Sequence, residues 1–266
     1  MCRFCACELS KEELSKQCAY KKDNLDHEVS WSKNSNFVDY HPSTMQQPKN
    51  TGLPVIINGK HLQSTDSRIF CPMYWSLIPP WYKGDLKDWN ALTHNARVEN
   101  LKESKIYSAS LSEGKRCVVV MEGFFEYKKP GSQPAEVYYL QSLENHLLKA
   151  AGLFNKIKRE NGETLYSCTV ITTESESNVK QVHHRSPLLL HQDADVETWL
   201  NFQSVSSADA VSKIKANKQI DLQFHKTSKI GSKEPATAKK VLASKGLMSN
   251  WLKTGTNKGV KRKAEN

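Results

Sequence analysis

The run 116–125, RCVVVMEGFF, constrains this chain most. Val118, Val119 and Val120 form a β-branched stretch ended by Gly123, which reads as a strand. Further strands are expected at 54–58, closed by Gly59, at 69–77, closed by Pro79 and Pro80, and at 135–140, 148–154, 166–172 and 220–225. Gly131 and Gly162 mark turns between them. Helices are expected at 11–20, where Ser10 is the N-cap and Glu12 and Glu13 fill the first turn, at 193–200 with Asp193 near its cap, and at 208–216. Residues 21–51 read as a long polar connection with short local structure. Many strands with few, separated helices indicate an α+β fold: one domain with a curved, barrel-like mixed β-sheet flanked by a few helices, not an alternating parallel sheet.

The domain is expected to span 1–231, because composition then turns to Lys, Ser, Thr, Gly and Ala with few apolar residues. Residues 232–266 read as a disordered basic tail. Of the net charge of +10, the stretch from Gly231 to Asn266 supplies nine Lys/Arg against two Glu. Such a tail suits nuclear import, nonspecific attraction to nucleic acid, or simple solubility. It contains a basic cluster of nuclear-localisation type at 260–264. It also contains an amphipathic island at 246–252, running from Gly246 through Leu247, Met248 and Trp251 to Leu252, that suits docking in a partner's groove or is merely a frayed helix.

No apolar stretch is long enough to span a bilayer, and the start lacks the apolar core of a secretory signal, so a soluble protein inside the cell is the expectation. The seven cysteines, Cys2, Cys5, Cys7, Cys18, Cys71, Cys117 and Cys168, are odd in number and read as reduced thiols. Cys2, Cys5 and Cys7 lack a second ligand pair downstream, so neither a metal nor another cofactor is expected.

Four places carry candidate chemistry. Removal of Met1 would leave Cys2 with a thiol and an α-amine on adjacent carbons, a 1,2-aminothiol able to attack an aldehyde twice and close a thiazolidine ring. Asn95 and Arg97 are two apart, so an extended backbone sets them on one face, where an amide orients a nucleophile and a guanidinium holds an anion. Glu126, among Phe124, Phe125 and Tyr127, is expected to have a raised pKa suited to a general acid. His183 and His184 offer a group titrating near neutrality. Three of them also have a plain alternative: an incidental cysteine, a strand-end glutamate in water, a surface histidine pair.

Taken in order, these residues resemble one family. Cys2, then Trp75-Ser76-Leu77-Ile78-Pro79-Pro80-Trp81, then Asn95-Ala96-Arg97, then Gly123-Phe124-Phe125-Glu126, then the H-x-R-x-P pattern of His183, Arg185 and Pro187, resemble the SOS-response-associated peptidase (SRAP) family over roughly residues 1–224. The resemblance implies that Cys2 condenses with the ring-opened aldehyde of an abasic site in single-stranded DNA. It also implies that Asn95 orients Cys2, Glu126 acts as acid/base and His183 assists proton transfer. Arg97, Arg3, Trp81 and Trp75 would bind DNA, Trp81 as an apolar wedge against a base. The family's M-C-G-R opening reads Met1-Cys2-Arg3-Phe4 here. Ser76 replaces the glycine of its W-G-L turn, Tyr74 its basic residue, His41 the asparagine of its Y-N motif, and Ile230-Gly231 its V-N pair. The implied activity is covalent shielding of abasic sites by a nuclear monomer, with a replication-fork protein docking at 246–252. The implied enzyme is a thiol (auto)peptidase with abasic-site lyase or crosslinking activity. A thiol autopeptidase or peptidase alone and a noncovalent reader of modified DNA bases remain as alternatives.

Overall fold

The computed structural model describes residues 3–34, 37–49, 51–129, 131–132, 134–159, 162–217 and 219–235. Cys2, the 246–252 island, the 260–264 cluster and nearly all of the expected tail lie outside them. The fold is α+β. Among the described residues a ten-stranded mixed sheet and a five-stranded sheet form a curled half-barrel, accompanied by a small hairpin and four short helices.

The apolar run at 116–125 is two strands, not one. Arg116–Met121 lies inside the ten-stranded sheet between Val55–Ile57 and Leu148–Lys158. At Glu122, whose N–H donates to the Ala6 carbonyl at 2.9 Å, the chain leaves that sheet. Gly123–Lys128 then pairs in the five-stranded sheet with Phe4–Cys7 on one side and Glu136–Ser142 on the other. Gly123 makes the crossing possible. A Cβ there would stand 2.5 Å from the Leu140 carbonyl oxygen and the Tyr139 ring.

Strand alternation builds two cores. Cys117, Val119 and Met121 join Cys5, Phe124, Leu140 and Leu222 in the layer between the sheets. Val118 and Val120 face the other way, against Trp199, Leu200, Ala210 and Ile214 of the helices Asp193–Leu200 and Ser207–Ala216. The Trp199 indole N–H donates to the Cys117 carbonyl at 2.9 Å, so one helix is pinned to the strand it covers.

The strand expected at 69–77 is likewise divided. Pro72 has no N–H to give to a ladder, and Ile69–Phe70 and Met73–Trp75 pair with different neighbours on either side of it. The first helix, Lys11–Gln17, opens with a full capping box: the Glu13 N–H donates to the Ser10 hydroxyl, and the Ser10 N–H donates to the Glu13 carboxylate at 2.7 Å. It stops short of residue 20, because Tyr20–Lys22 turns back on Leu25–His27 through Asp23 and Asn24, both at positive φ as a two-residue hairpin turn requires. Strands at Phe4–Cys7, Ser43–Gln46 and Asn95–Arg97 add to those expected. No helix among the described residues is long and apolar enough to cross a membrane.

Candidate active site

Phe4–Cys7 runs antiparallel to Gly123–Lys128 with Phe4 opposite Phe125, a register that brings the start of the first strand to the level of Glu126. A cleft of about 680 Å³ opens there, and Arg3, Glu126, Tyr127, Lys129, Lys180 and His183 are among the residues that line it. Of the candidate residues read from the sequence, Arg3, Glu126 and His183 therefore share one cleft.

Glu126 is 3% exposed. Burial pushes its carboxyl up to about 7, against the opposing pull of the positive charge of the chain's amino terminus. A carboxyl at that value is divided between acid and base forms near neutral pH. His183 is half-buried, and burial, followed by the charge of the amino terminus, brings its imidazole down to about 4. It is therefore neutral at pH 7. Its Nδ1 accepts the Arg185 N–H at 3.1 Å, which leaves Nε2 as the ring's other polar atom. His184 lies against it, ring centroids 4.4 Å apart.

Asn95 and Arg97 stand on the short strand Asn95–Arg97, parallel to Thr164–Glu174 with Asn95 opposite Val170 and Arg97 opposite Thr172. Asn95 is buried and Arg97 exposed. Beside Asn95, His94 is held down to about 4 by burial and then by the positive charges of Arg3 and the amino terminus. The strand carrying Asn95 thus lies within electrostatic reach of Arg3. Asn95 and Arg97 do not line the 680 Å³ cleft themselves.

Arg185 connects these parts. Its two terminal nitrogens each donate to one Glu99 carboxylate oxygen at 3.0 Å, and Nη2 also donates to the Thr172 carbonyl at 2.7 Å. Glu99 lies two residues past the Asn95–Arg97 strand and Arg185 directly follows the histidines, so the pair fastens one candidate segment to the other. In the sequence Arg185 stands out only as part of a motif and Glu99 only as the end of the polar stretch 93–99; nothing there pairs the two.

Trp75 is corrected. It is fully buried in the layer between the sheets, with its indole N–H donating to the His94 carbonyl at 2.9 Å, and it presents no face to a nucleic acid. Trp81 is 57% exposed and leans edge-on against Trp89, centroids 6.0 Å apart, so its ring is open to a partner. Lys129, Lys180 and Tyr127 line the cleft as well. Tyr127 and Lys129 closely follow Glu126, whereas Lys180 comes from a distant segment, and neither lysine carries a motif of its own. No group of three or more metal-ligating side chains converges among the described residues.

A family model described as SOS response associated peptidase (SRAP) matches residues 1–232. The chain is 33% identical over 232 residues to the abasic site processing protein HMCES of Xenopus tropicalis, covering 79% of this chain and 69% of that one. It is 29% identical to HMCES of Gallus gallus, covering 100% of this chain and 88% of that one. Against the abasic site processing protein YoaM of Bacillus subtilis it is 32% identical, over 63% of this chain and 70% of that protein. A crystal structure of a Bordetella bronchiseptica protein superposes with a TM-score of 0.68 at 16% identity, covering 86% of this chain and 100% of that one, a likeness of fold.

Proposed function

Because the chain belongs to the SRAP family, we propose that it processes abasic sites in single-stranded DNA by forming a covalent bond to them through Cys2, once Met1 has been removed. The buried Glu126 carboxyl, held near 7 in a cleft at the head of the first strand, carries this reading.

The steps balance as a condensation. The α-amine of Cys2 adds to the C1′ aldehyde of the ring-opened sugar to give a carbinolamine. Glu126 in its acid form protonates the departing hydroxyl, and one water leaves as the imine forms. The Cys2 thiolate then attacks the same carbon. The C–S bond replaces the π bond of the imine, whose electron pair takes a proton on nitrogen, and a thiazolidine results. Asn95 orients Cys2, and His183, neutral at pH 7, relays a proton to the sugar during ring opening. Arg97 and Arg3 hold phosphate, and Trp81 stacks on a base next to the lesion.

Within this reading residues 1–231 are the reacting domain of a nuclear monomer. The tail from 232 supplies the import signal at 260–264 and a docking segment at 246–252 for a replication-fork protein. Incubation with an oligonucleotide carrying one abasic site, followed by a denaturing gel, tests the covalent step. An adduct that is lost in Cys2→Ala is expected. Binding by the parent chain with no adduct, unchanged in Cys2→Ala, marks a noncovalent reader of DNA bases instead. The family's description as a peptidase favours self-removal of Met1 by the same residues, and intact mass of Glu126→Ala tests it: retained Met1 supports self-cleavage, and its absence assigns the step to another enzyme.

A further inference from the structure

Two large cavities lie on this domain, and their charges are opposed. The larger, about 1040 Å³, carries Glu144, Glu176 and Asp221 against Lys149. The 680 Å³ cleft carries three cations, Arg3, Lys129 and Lys180, and one carboxyl, the buried Glu126 that is half neutral near pH 7. The side chains of these three cations make no ion pair or hydrogen bond with any described residue, whereas Lys226 is spent on Glu136 and Lys233 on Glu8 and Glu122. Exposed cations lining one cleft, with no acidic partner among the described residues, raise the positive potential there.

Backbone structure fixes where two of them stand. Lys180 lies on the short helix Asn178–Gln181, whose Asn178 is bound three times to the segment entering the strand Leu222–Thr227. Its N–H donates to Asp221 at 2.9 Å, its amide donates to the Leu222 carbonyl at 2.8 Å, and its amide oxygen accepts the Leu222 N–H at 3.0 Å. Lys129 follows directly on Gly123–Lys128, with its carbonyl accepting the Gly131 N–H at 3.0 Å. Tyr127, one residue beyond Glu126, is held by its pairing with Val137 and is 44% exposed. An exposed aromatic ring and two lysines lining one cleft combine what holds a nucleotide of single-stranded nucleic acid: a face for a base and ammonium groups for its phosphates.

We propose that Tyr127, Lys129 and Lys180 form a subsite for the nucleotide step flanking the reacting sugar, with the base on Tyr127 and the adjoining phosphates on Lys129 and Lys180. The subsite rests on the abasic-site reading, and it is separate from the exposed Trp81 ring, which does not line this cleft.

The test uses the full chain and three variants, Lys129→Ala/Lys180→Ala, Tyr127→Ala and Tyr127→Phe. Three quantities are measured: crosslinking to an abasic oligonucleotide over a range of DNA and salt concentrations, anisotropy of an undamaged oligonucleotide, and the rate of reaction with glycolaldehyde, which has neither base nor phosphate. The double variant is expected to need about tenfold more DNA for half-maximal crosslinking and to lower the log–log salt slope by about 1.4, close to 0.7 for each phosphate no longer neutralised. Tyr127→Ala is expected to need at least about fivefold more DNA, and Tyr127→Phe to stay within about twofold of the parent, since the ring supplies the stacking. All three are expected to react with glycolaldehyde at the parent rate. The subsite is overturned if the double variant keeps the parent salt slope and half-saturation, or if it slows glycolaldehyde as much as DNA. If the parent chain forms no adduct while the variants still weaken anisotropy binding, the covalent reading fails and the subsite stands.

Discussion

Arg185 and Glu99 form a two-pronged ion pair, 3.0 Å at each prong, that ties the loop of His183 to the end of the strand bearing Asn95. The Arg185 side chain is almost wholly buried and that of Glu99 is about half exposed. The pair therefore acts mainly through geometry, since a carboxylate that exposed is screened by water. Lysine keeps the charge and loses the fork. Arg185→Lys is expected to lower the maximal crosslinking rate about tenfold, leave the DNA concentration for half-saturation unchanged and cost about 1–2 kcal/mol in urea denaturation. Unchanged single-turnover rates would remove the pair from any positioning role.

Glu126 makes a pH prediction with two readouts. Replacement by Gln is expected to reduce crosslinking about 100-fold and to abolish the bend near pH 7 in the rate profile measured from pH 5.5 to 9. The folded-state value lies above the unfolded one, so the protonated carboxyl favours the fold at low pH, and that contribution is lost as pH rises through 7. Glu126→Gln should therefore gain more stability over the parent at pH 8 than at pH 5. A constant difference in melting temperature contradicts a raised value.

Three buried or half-buried histidines work in the opposite direction. His61, His94 and His183 each sit at about 4, with burial as the leading cause, against about 6.5 in the unfolded chain. Between those values the unfolded state binds more protons. The stability they confer is thus complete above pH 6.5 and drains away as pH falls towards 4. His61 stacks on Phe202 with centroids 4.0 Å apart, an arrangement that Phe would keep, so His61→Phe is expected to make the urea midpoint less sensitive to acid between pH 6.5 and 4.5. Equal slopes in parent and variant would speak against a neutral, buried His61.

Gly123→Ala tests the sheet crossing. The new methyl would meet the Leu140 carbonyl at 2.5 Å, a clash with backbone that no rotamer relieves. A loss of about 1–3 kcal/mol is expected, together with slower crosslinking because the displaced strand carries Glu126. An Ala variant as stable as the parent, measured by urea denaturation, would show that the crossing has slack.

Local signals were readable where local physics decides the outcome. Ser10 with Glu13 makes the capping box that starts the first helix, and Asp193–Leu200 forms over the span its composition suggested. The α+β class followed from counting strands against helices. The division at Glu122 was not readable, because an apolar strand looks alike whether it stays in one sheet or enters another; the choice is made by the distant Phe4–Cys7 strand, which pairs only with the second half. Pro72 did signal the break within 69–77, yet the apolar run around it suggested continuity. In the site, Glu126 and His183 stood out as polar groups in ordered motifs. Lys129 and Lys180 did not, since a lysine in sequence gives no sign of which cavity its ammonium will reach. Trp75 shows the converse error: an aromatic in a motif signals importance, and only its full burial assigns that importance to packing.

The crossing at Glu122 also makes the site a gauge of how firmly the two sheets stay together. Glu126 is carried by the five-stranded sheet, while Asn95 and His183 belong to strands and loops attached to the ten-stranded one. Neither sheet carries all the proposed site residues alone. Partial separation of the layers, at a free energy below that of global unfolding, would disperse these candidate groups while each sheet kept its hydrogen bonds. Loss of crosslinking should then precede loss of β-sheet signal as denaturant is raised.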